Sequence, residues 1–140
     1  MRIFLMAVFV FLLMATSVQT AFARQVQYDQ HLETDELLVE YRWQHERALR
    51  RSGDAVLTLQ ITNLSSDFLE VTFVVAFYLE EQLVFESDVN HYCFRPEQRR
   101  RAGRAGLRFV APGISMEQVE EEDFDWDILI REVRTVDACE

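Results

Sequence analysis

The chain has 140 residues, 49% of them hydrophobic, and a formal net charge of −10; its 14 basic side chains other than histidine are all arginine, and lysine is absent. That acidity opposes general binding to nucleic acid or to an anionic membrane surface, and no nucleic-acid partner is expected. A chain of this length holds one domain with a real core, and four glycines leave little for phosphate-cradling loops.

Residues 1–23 read MRIFLMAVFVFLLMATSVQTAFA. Arg2 gives a positive start, Ile3 to Ala15 is an uncharged apolar run, and Ala21-Phe22-Ala23 supplies the small-x-small cleavage pattern. The run is short of the ~20 residues that cross a bilayer, so it predicts a cleaved signal peptide with no membrane span afterwards. The expected location is periplasmic or extracellular.

Residues 24–36 are polar, with Tyr28 and Leu32 as anchors, and read as a lead-in to a domain over 37–140. Period-two alternation then begins, the mark of a half-buried strand. In LLVEYRWQHER, Leu37, Val39, Tyr41, Trp43 and His45 share one face. In AVLTLQITN, Leu57, Leu59 and Ile61 point inward. In FLEVTFVVAFYL, Leu69, Val71, Phe73, Val75, Phe77 and Leu79 line one side, while Val74 and Ala76 make the other partly apolar, as in a central strand. Glu80-Glu81-Gln82 turns into LVFES, VNHYCF is a short strand, and LRFVA ends at Pro112-Gly113. Ser115-Met116-Glu117-Gln118 has the form of a capping box opening one helical turn. FDWDILIREVRTV is the last strand, with Phe124, Trp126, Ile128 and Ile130 on one face.

About seven strands with short connections predict an all-β, immunoglobulin-like antiparallel β-sandwich, with a small closed barrel as the competing architecture. Trp43, Phe73, Phe77, Phe85, Phe109 and Trp126 are then core.

Cys93 and Cys139 are the two cysteines, and in an exported chain they predict a disulfide. The segment CFRPEQRRRAGRAGL is rich in arginine, a bidentate partner for carboxylate or phosphate. Arg99, Arg100, Arg101 and Arg104 form its candidate anion-binding set. The competing expectations are a solvated loop, or neutralisation of the arginines of 95–108 by the acids of 117–127. Asp123, Asp125 and Asp127 are the candidate ligands for calcium, which takes oxygen donors, although the EF-hand pattern fails at Ile128 and Arg134. His31, His45 and His91 have no metal-ligand spacing, and neither HExxH, GxSxG nor a dinucleotide fingerprint is present, so no cofactor is implied. Asn63-Leu64-Ser65 fits a glycosylation acceptor.

The middle of the chain, ITNLSSDFLEVTFVVAFYLEEQLVFES, resembles the bacterial FxLyD-type domain. Asn63 stands at the end of a strand, Phe77-Tyr78 is the aromatic pair, Glu80-Glu81 is the acidic turn, and FRPEQ is similar to the family's Pro-Gly turn with glutamate in place of glycine. The resemblance implies an exported immunoglobulin-like module and no catalytic residues. The expected function is therefore non-enzymatic: interaction with another exported or envelope protein, or support of it. One alternative is binding of an anionic glycan or lipid headgroup through the arginines. Another is a small secreted enzyme, which predicts a pocket joining His45 or His91 to carboxylates.

Overall fold

A computed structural model describes residues 26–46, 53–103 and 106–140. Residues 1–23, expected to be a signal peptide, and Arg104 lie outside the described residues. In chain order the strands are β1 (Asp29–Glu33), β2 (Leu37–His45), β3 (Asp54–Asn63), β4 (Phe68–Leu79), β5 (Gln82–Glu86), β6 (Asn90–Phe94), β7 (Arg99–Arg101), β8 (Arg108–Ser115) and β9 (Phe124–Val136). One 3-10 turn, Gln118–Glu120, precedes β9.

The strands form two sheets, antiparallel throughout. In the first, β1 pairs β2 and β2 pairs β3, while β7 and β8 share the far side of β3. In the second, β9 runs along one side of β4, and β5 and β6 divide the other. The alternating positions meet between the sheets: Val39, Leu57, Leu59 and Ile61 from the first, and Leu69, Val71, Phe73, Val75 and Phe77 from the second, belong to one buried cluster. Each large side chain so buried contributes about 1.5–3 kcal/mol. Trp43 packs on Phe77 and Phe124, and Phe77 on Phe85, with ring centroids 5.2–5.6 Å apart. Val74 and Ala76 are buried as well, because β4 is flanked on both sides.

Three local details differ from the sequence expectation. Residues 29–33, within the expected lead-in, pair with β2 as an edge strand. What holds them is tertiary: the His31 ring stacks on Trp126 at 4.0 Å. The arginine segment supplies a strand, β7, rather than only a loop. And β8 does not stop at Pro112-Gly113: Pro112, Gly113 and Ile114 bulge out of register, after which Ser115 pairs with Asp54. Proline lacks the N–H that a ladder needs, and a bulge is where a sheet tolerates it. Gly113 donates its own N–H to the Asp54 carboxylate at 3.2 Å.

The turns explain the register. Ser115 and Gln118 form the reciprocal capping box: the Gln118 N–H donates to Ser115 Oγ and the Ser115 N–H to Gln118 Oε1. Glu80 and Glu81 form a two-residue hairpin turn with φ of 49° and 63°, left-handed backbone that asparagine and glycine normally supply. In the Arg95–Gln98 turn, closed by Gln98 N–H to Arg95 C=O, Glu97 holds a φ of 56°, where glycine would be unstrained.

Candidate binding surfaces

The outer face of the first sheet is built by strict alternation. Because Ile61 points inward, Gln60 and Thr62 point outward, and the register places Arg101 opposite Gln60 and Arg99 opposite Thr62. Across β3 the same rows continue to Glu40 and Leu38 on β2. The next row is Arg42, Thr58 and Arg108. Four guanidinium groups thus share a face with Glu33, Glu40 and, at its far end, Asp54, in a chain of net charge −10. Gln60 is 5% exposed, and its amide donates to the Glu40 carboxylate. Arg42 lies 5.6 Å from the centre of the Tyr28 ring and donates to Gln44 Oε1 at 2.6 Å.

Tyr28, Glu40, Gln60, Arg99 and Arg101 line one surface cavity of about 620 Å³. Arg100 faces the other way. Its guanidinium carbon sits 5.6 Å from the Phe94 ring and 6.0 Å from that of Tyr92, and its Nε is buried without a hydrogen-bond partner. Burial pushes the Tyr92 phenol up, against the opposing pull of Arg100. The sequence-stretch of arginines is therefore not one patch: Arg99 and Arg101 come together, and Arg100 is a packing residue.

The expected neutralisation of these arginines by the 117–127 acids is not what the fold provides. Arg100 pairs with Ile61, while Ser115, which leads into the acids, pairs with Asp54. Seven residues of β3 separate the two, roughly 23 Å at the strand rise, while Arg108, opposite Thr58, stands four residues from Asp54. Among the described residues the charged pair is Glu70–Arg134, His31 Nε2 lies 3.2 Å from the Asp127 carboxylate, and neither contact joins these segments.

The acids gather at the opposite end. Glu80, Glu81, Glu122, Asp123 and Asp125 line a surface cavity with Tyr78 and Phe124, tied by a 2.8 Å bond from Glu80 N–H to Asp123 C=O. Of the candidate calcium ligands, Asp123 and Asp125 line this cavity and Asp127 does not. Asp125 accepts the Trp126 N–H, and Asp127 accepts the Ile128 N–H and contacts His31 Nε2 at 3.2 Å. Among the described residues no three histidine, cysteine, aspartate or glutamate side chains could hold a metal ion. His91 contacts Thr72 Oγ1 at 3.0 Å, and His45 is exposed. The arginine-lined and acid-lined cavities contain no histidine.

The outer face of the second sheet carries the disulfide. Cys93 and Arg134 both pair with Glu70, on opposite sides of β4. Cys93 is bonded to Cys139 with the Cα atoms 5.6 Å apart, so the bridge fastens β6 to the tail that follows β9. Arg134 donates to Glu70 and holds its carboxyl below the ordinary glutamate range. The disulfide fits an oxidising, exported environment. Among the described residues no helix is long and apolar enough to cross a membrane.

Sequence reasoning missed one apolar feature. At β5 the pairing slips: Phe85 pairs with Phe77 but Leu83 with Tyr78, leaving Val84 as the extra residue. The bulge leaves Leu83 and Val84 53% and 49% exposed, and Val89 beyond them is 67% exposed. A run of alternating type gives no sign of such a slip.

Asn63 is not a glycosylation acceptor in this fold. It is fully buried, and its amide donates to the carbonyls of Asp67 and Arg95 while its oxygen accepts from Ser65 N–H and Oγ.

In comparisons with known proteins, no family model, no curated protein and no solved structure matches this chain.

Proposed function

We propose that the chain is an exported, periplasmic or extracellular, immunoglobulin-like β-sandwich of the FxLyD type. It works by binding rather than by catalysis, and β5 receives an extended segment of another exported or envelope protein. The observation that carries this reading is the unguarded edge. Sheet edges are normally blunted by charge, proline or cover. Here β1 carries Asp29 and Glu33, β7 is arginine throughout, β8 contains Pro112, and β9 carries Asp125, Asp127, Arg131 and Glu132. β6, also paired to β4 along one side, carries neither an acid, an arginine nor a proline but is tied at Cys93 to the tail at Cys139, whereas β5 presents Leu83, the bulged Val84 and Phe85 in succession, paired to β4 along one side. Such an edge takes a partner strand through main-chain hydrogen bonds, with side chains setting the choice. Exposed Glu80, Glu81, Glu86 and Asp88 surround it, so the partner segment alternates apolar and basic residues and a second copy is repelled.

The test uses the purified protein and an extended peptide of alternating valine and arginine, beside a pull-down from the exported fraction. Binding of the peptide, and capture of the same partner, should fall at least tenfold in Val84→Pro and in Leu83→Glu while circular dichroism stays that of the parent. Retained binding in both variants, or hydrolytic turnover with no stable partner, would refute the reading.

A further inference from the structure

We infer that the cavity on the outer face of the first sheet is a binding site for an acidic polysaccharide, with Arg99 and Arg101 taking its carboxylates and Tyr28, Gln60 and Glu40 taking its sugar ring and hydroxyls. The inference does not rest on the β5 edge: it concerns the other sheet.

Arg99 and Arg101 are two residues apart on one strand, so both guanidiniums project from the same face about 6.6 Å apart along β7. That spacing suits successive charged groups on an extended chain better than one compact anion. Each guanidinium presents a fork that matches a carboxylate bidentately. Between and beside them the cavity offers an aromatic face, an amide and a carboxylate in Tyr28, Gln60 and Glu40. Its volume, about 620 Å³, lies within the roughly 300–1,000 Å³ of ligand sites.

Glu40 decides the ligand class. A carboxylate in the cavity repels any anion placed against it, so a compact phosphate gains less here than a chain whose charges sit at Arg99 and Arg101 and whose neutral groups face Glu40. A sugar uses that carboxylate, because hydroxyl groups donate to carboxylates. The Glu40–Gln60 hydrogen bond fixes both groups on the face before any ligand arrives. Lipid headgroups are disfavoured, since Val26 is the lone apolar side chain of the lining, too little to enter a bilayer. The flat array also extends: Arg42 and Arg108 form the next row, so longer oligomers gain contacts.

The experiment is calorimetric titration of the purified protein with oligogalacturonate, using dextran oligomers, inorganic phosphate and anionic phosphatidylglycerol vesicles as comparators. Oligogalacturonate should bind, more tightly with length, and dextran should not. Arg99→Gln/Arg101→Gln should weaken binding at least tenfold, and Tyr28→Ala several-fold. Arg95→Gln/Arg131→Gln removes the same charge away from the cavity and should stay within twofold of the parent. Equal losses in the two double variants would reduce the effect to net charge and overturn the site. So would unchanged binding in Arg99→Gln/Arg101→Gln, competition by phosphate at equal concentration, or preference for the vesicles. Leu83→Glu serves as an independent marker: it should leave oligogalacturonate binding intact whether or not β5 has a partner.

Discussion

Removing the disulfide should cost the protein much of its stability, and the register of the second sheet says why. β9 is already paired with β4 from Phe68–Val136 to Leu79–Phe124, so the native tail does not depend on the bridge for its place. The bridge acts on the unfolded chain, where Cys93 and Cys139 close a loop with a sequence separation of 46. In the chain-entropy treatment that closure is worth about 4 kcal/mol at room temperature. With a urea slope of about 2 kcal/mol/M, a usual value for a small domain, the midpoint of Cys93→Ala/Cys139→Ala falls by about 2 M. The slope itself should rise, because the untied chain exposes more surface on unfolding. The assay is equilibrium urea unfolding followed by tryptophan fluorescence, since Trp126 lies in the β9 core and Trp43 packs against it. The fully reduced parent should match the double variant. A double variant within about 1 kcal/mol of the oxidised parent would refute the argument, because the bridge would then constrain nothing that the unfolded chain explores.

Two smaller perturbations test the local geometry. Glu97→Gly should stabilise the fold: left-handed backbone costs an L-residue roughly 1–2 kcal/mol, and the unfolded-state freedom of glycine returns roughly 0.5–1 of it. A rise in the thermal midpoint is therefore expected, and a fall would mean that the Glu97 side chain makes a contact worth more than the strain. The Glu70–Arg134 pair should give a pH signature, since the Arg134 hydrogen bond depresses the folded-state value for Glu70. The sign follows from linkage: the pair stabilises the fold at neutral pH, above the ordinary glutamate value, and that contribution is lost as acid protonates Glu70 in the folded state. Arg134→Gln should lower the thermal midpoint at neutral pH, with the difference shrinking in acid, and should return the Glu70 carboxyl resonance toward an ordinary glutamate titration. An identical pH profile in parent and variant would show the pair to be uncoupled from folding.

The sheets were legible because their signal is local. Alternation in β2, β3, β4 and β9 names the inward face residue by residue, and the structure buries those faces together. β1 was not legible, since DQHLE has no periodic apolar face; its place is decided by pairing with β2 and by the stacking of His31 on Trp126, contacts remote in sequence. β7 was hidden for a related reason: three arginines in a row read as solvated loop, and only the Thr62–Arg99 and Gln60–Arg101 pairings make them a strand. The bulge at Val84 and the continuation of β8 past Pro112 are register events, and register belongs to a pair of strands rather than to either sequence. Among the site residues, the disulfide was readable from cysteine count. Arg99 and Arg101 were readable as arginines but not as a pair apart from Arg100, because that division exists only once the segment is extended.

The same alternation turns a linear charge pattern into a polarised object. The arginines and the later acids lie close in sequence, and a loop-based reading makes them neighbours. The fold separates them instead, because the strand pair β3–β8 must be traversed between them: β7 meets β3 near Asn63, while β8 delivers the chain to the Asp54 end before the acids begin. Opposite charges that do not touch cannot neutralise one another at short range. Across ~23 Å they lie beyond the ~8–10 Å over which salt at physiological strength leaves exposed charges interacting. Each surface therefore keeps its own field. An acidic protein is ordinarily expected to shun anionic ligands, yet the cavity between Tyr28 and Arg101 is governed by the guanidiniums within a few ångströms, not by the total of −10. Net charge governs the approach of a distant ligand and local charge governs its retention, so binding at this face should strengthen as moderate salt screens the repulsion of the far acids and weaken only when salt also screens the arginines themselves.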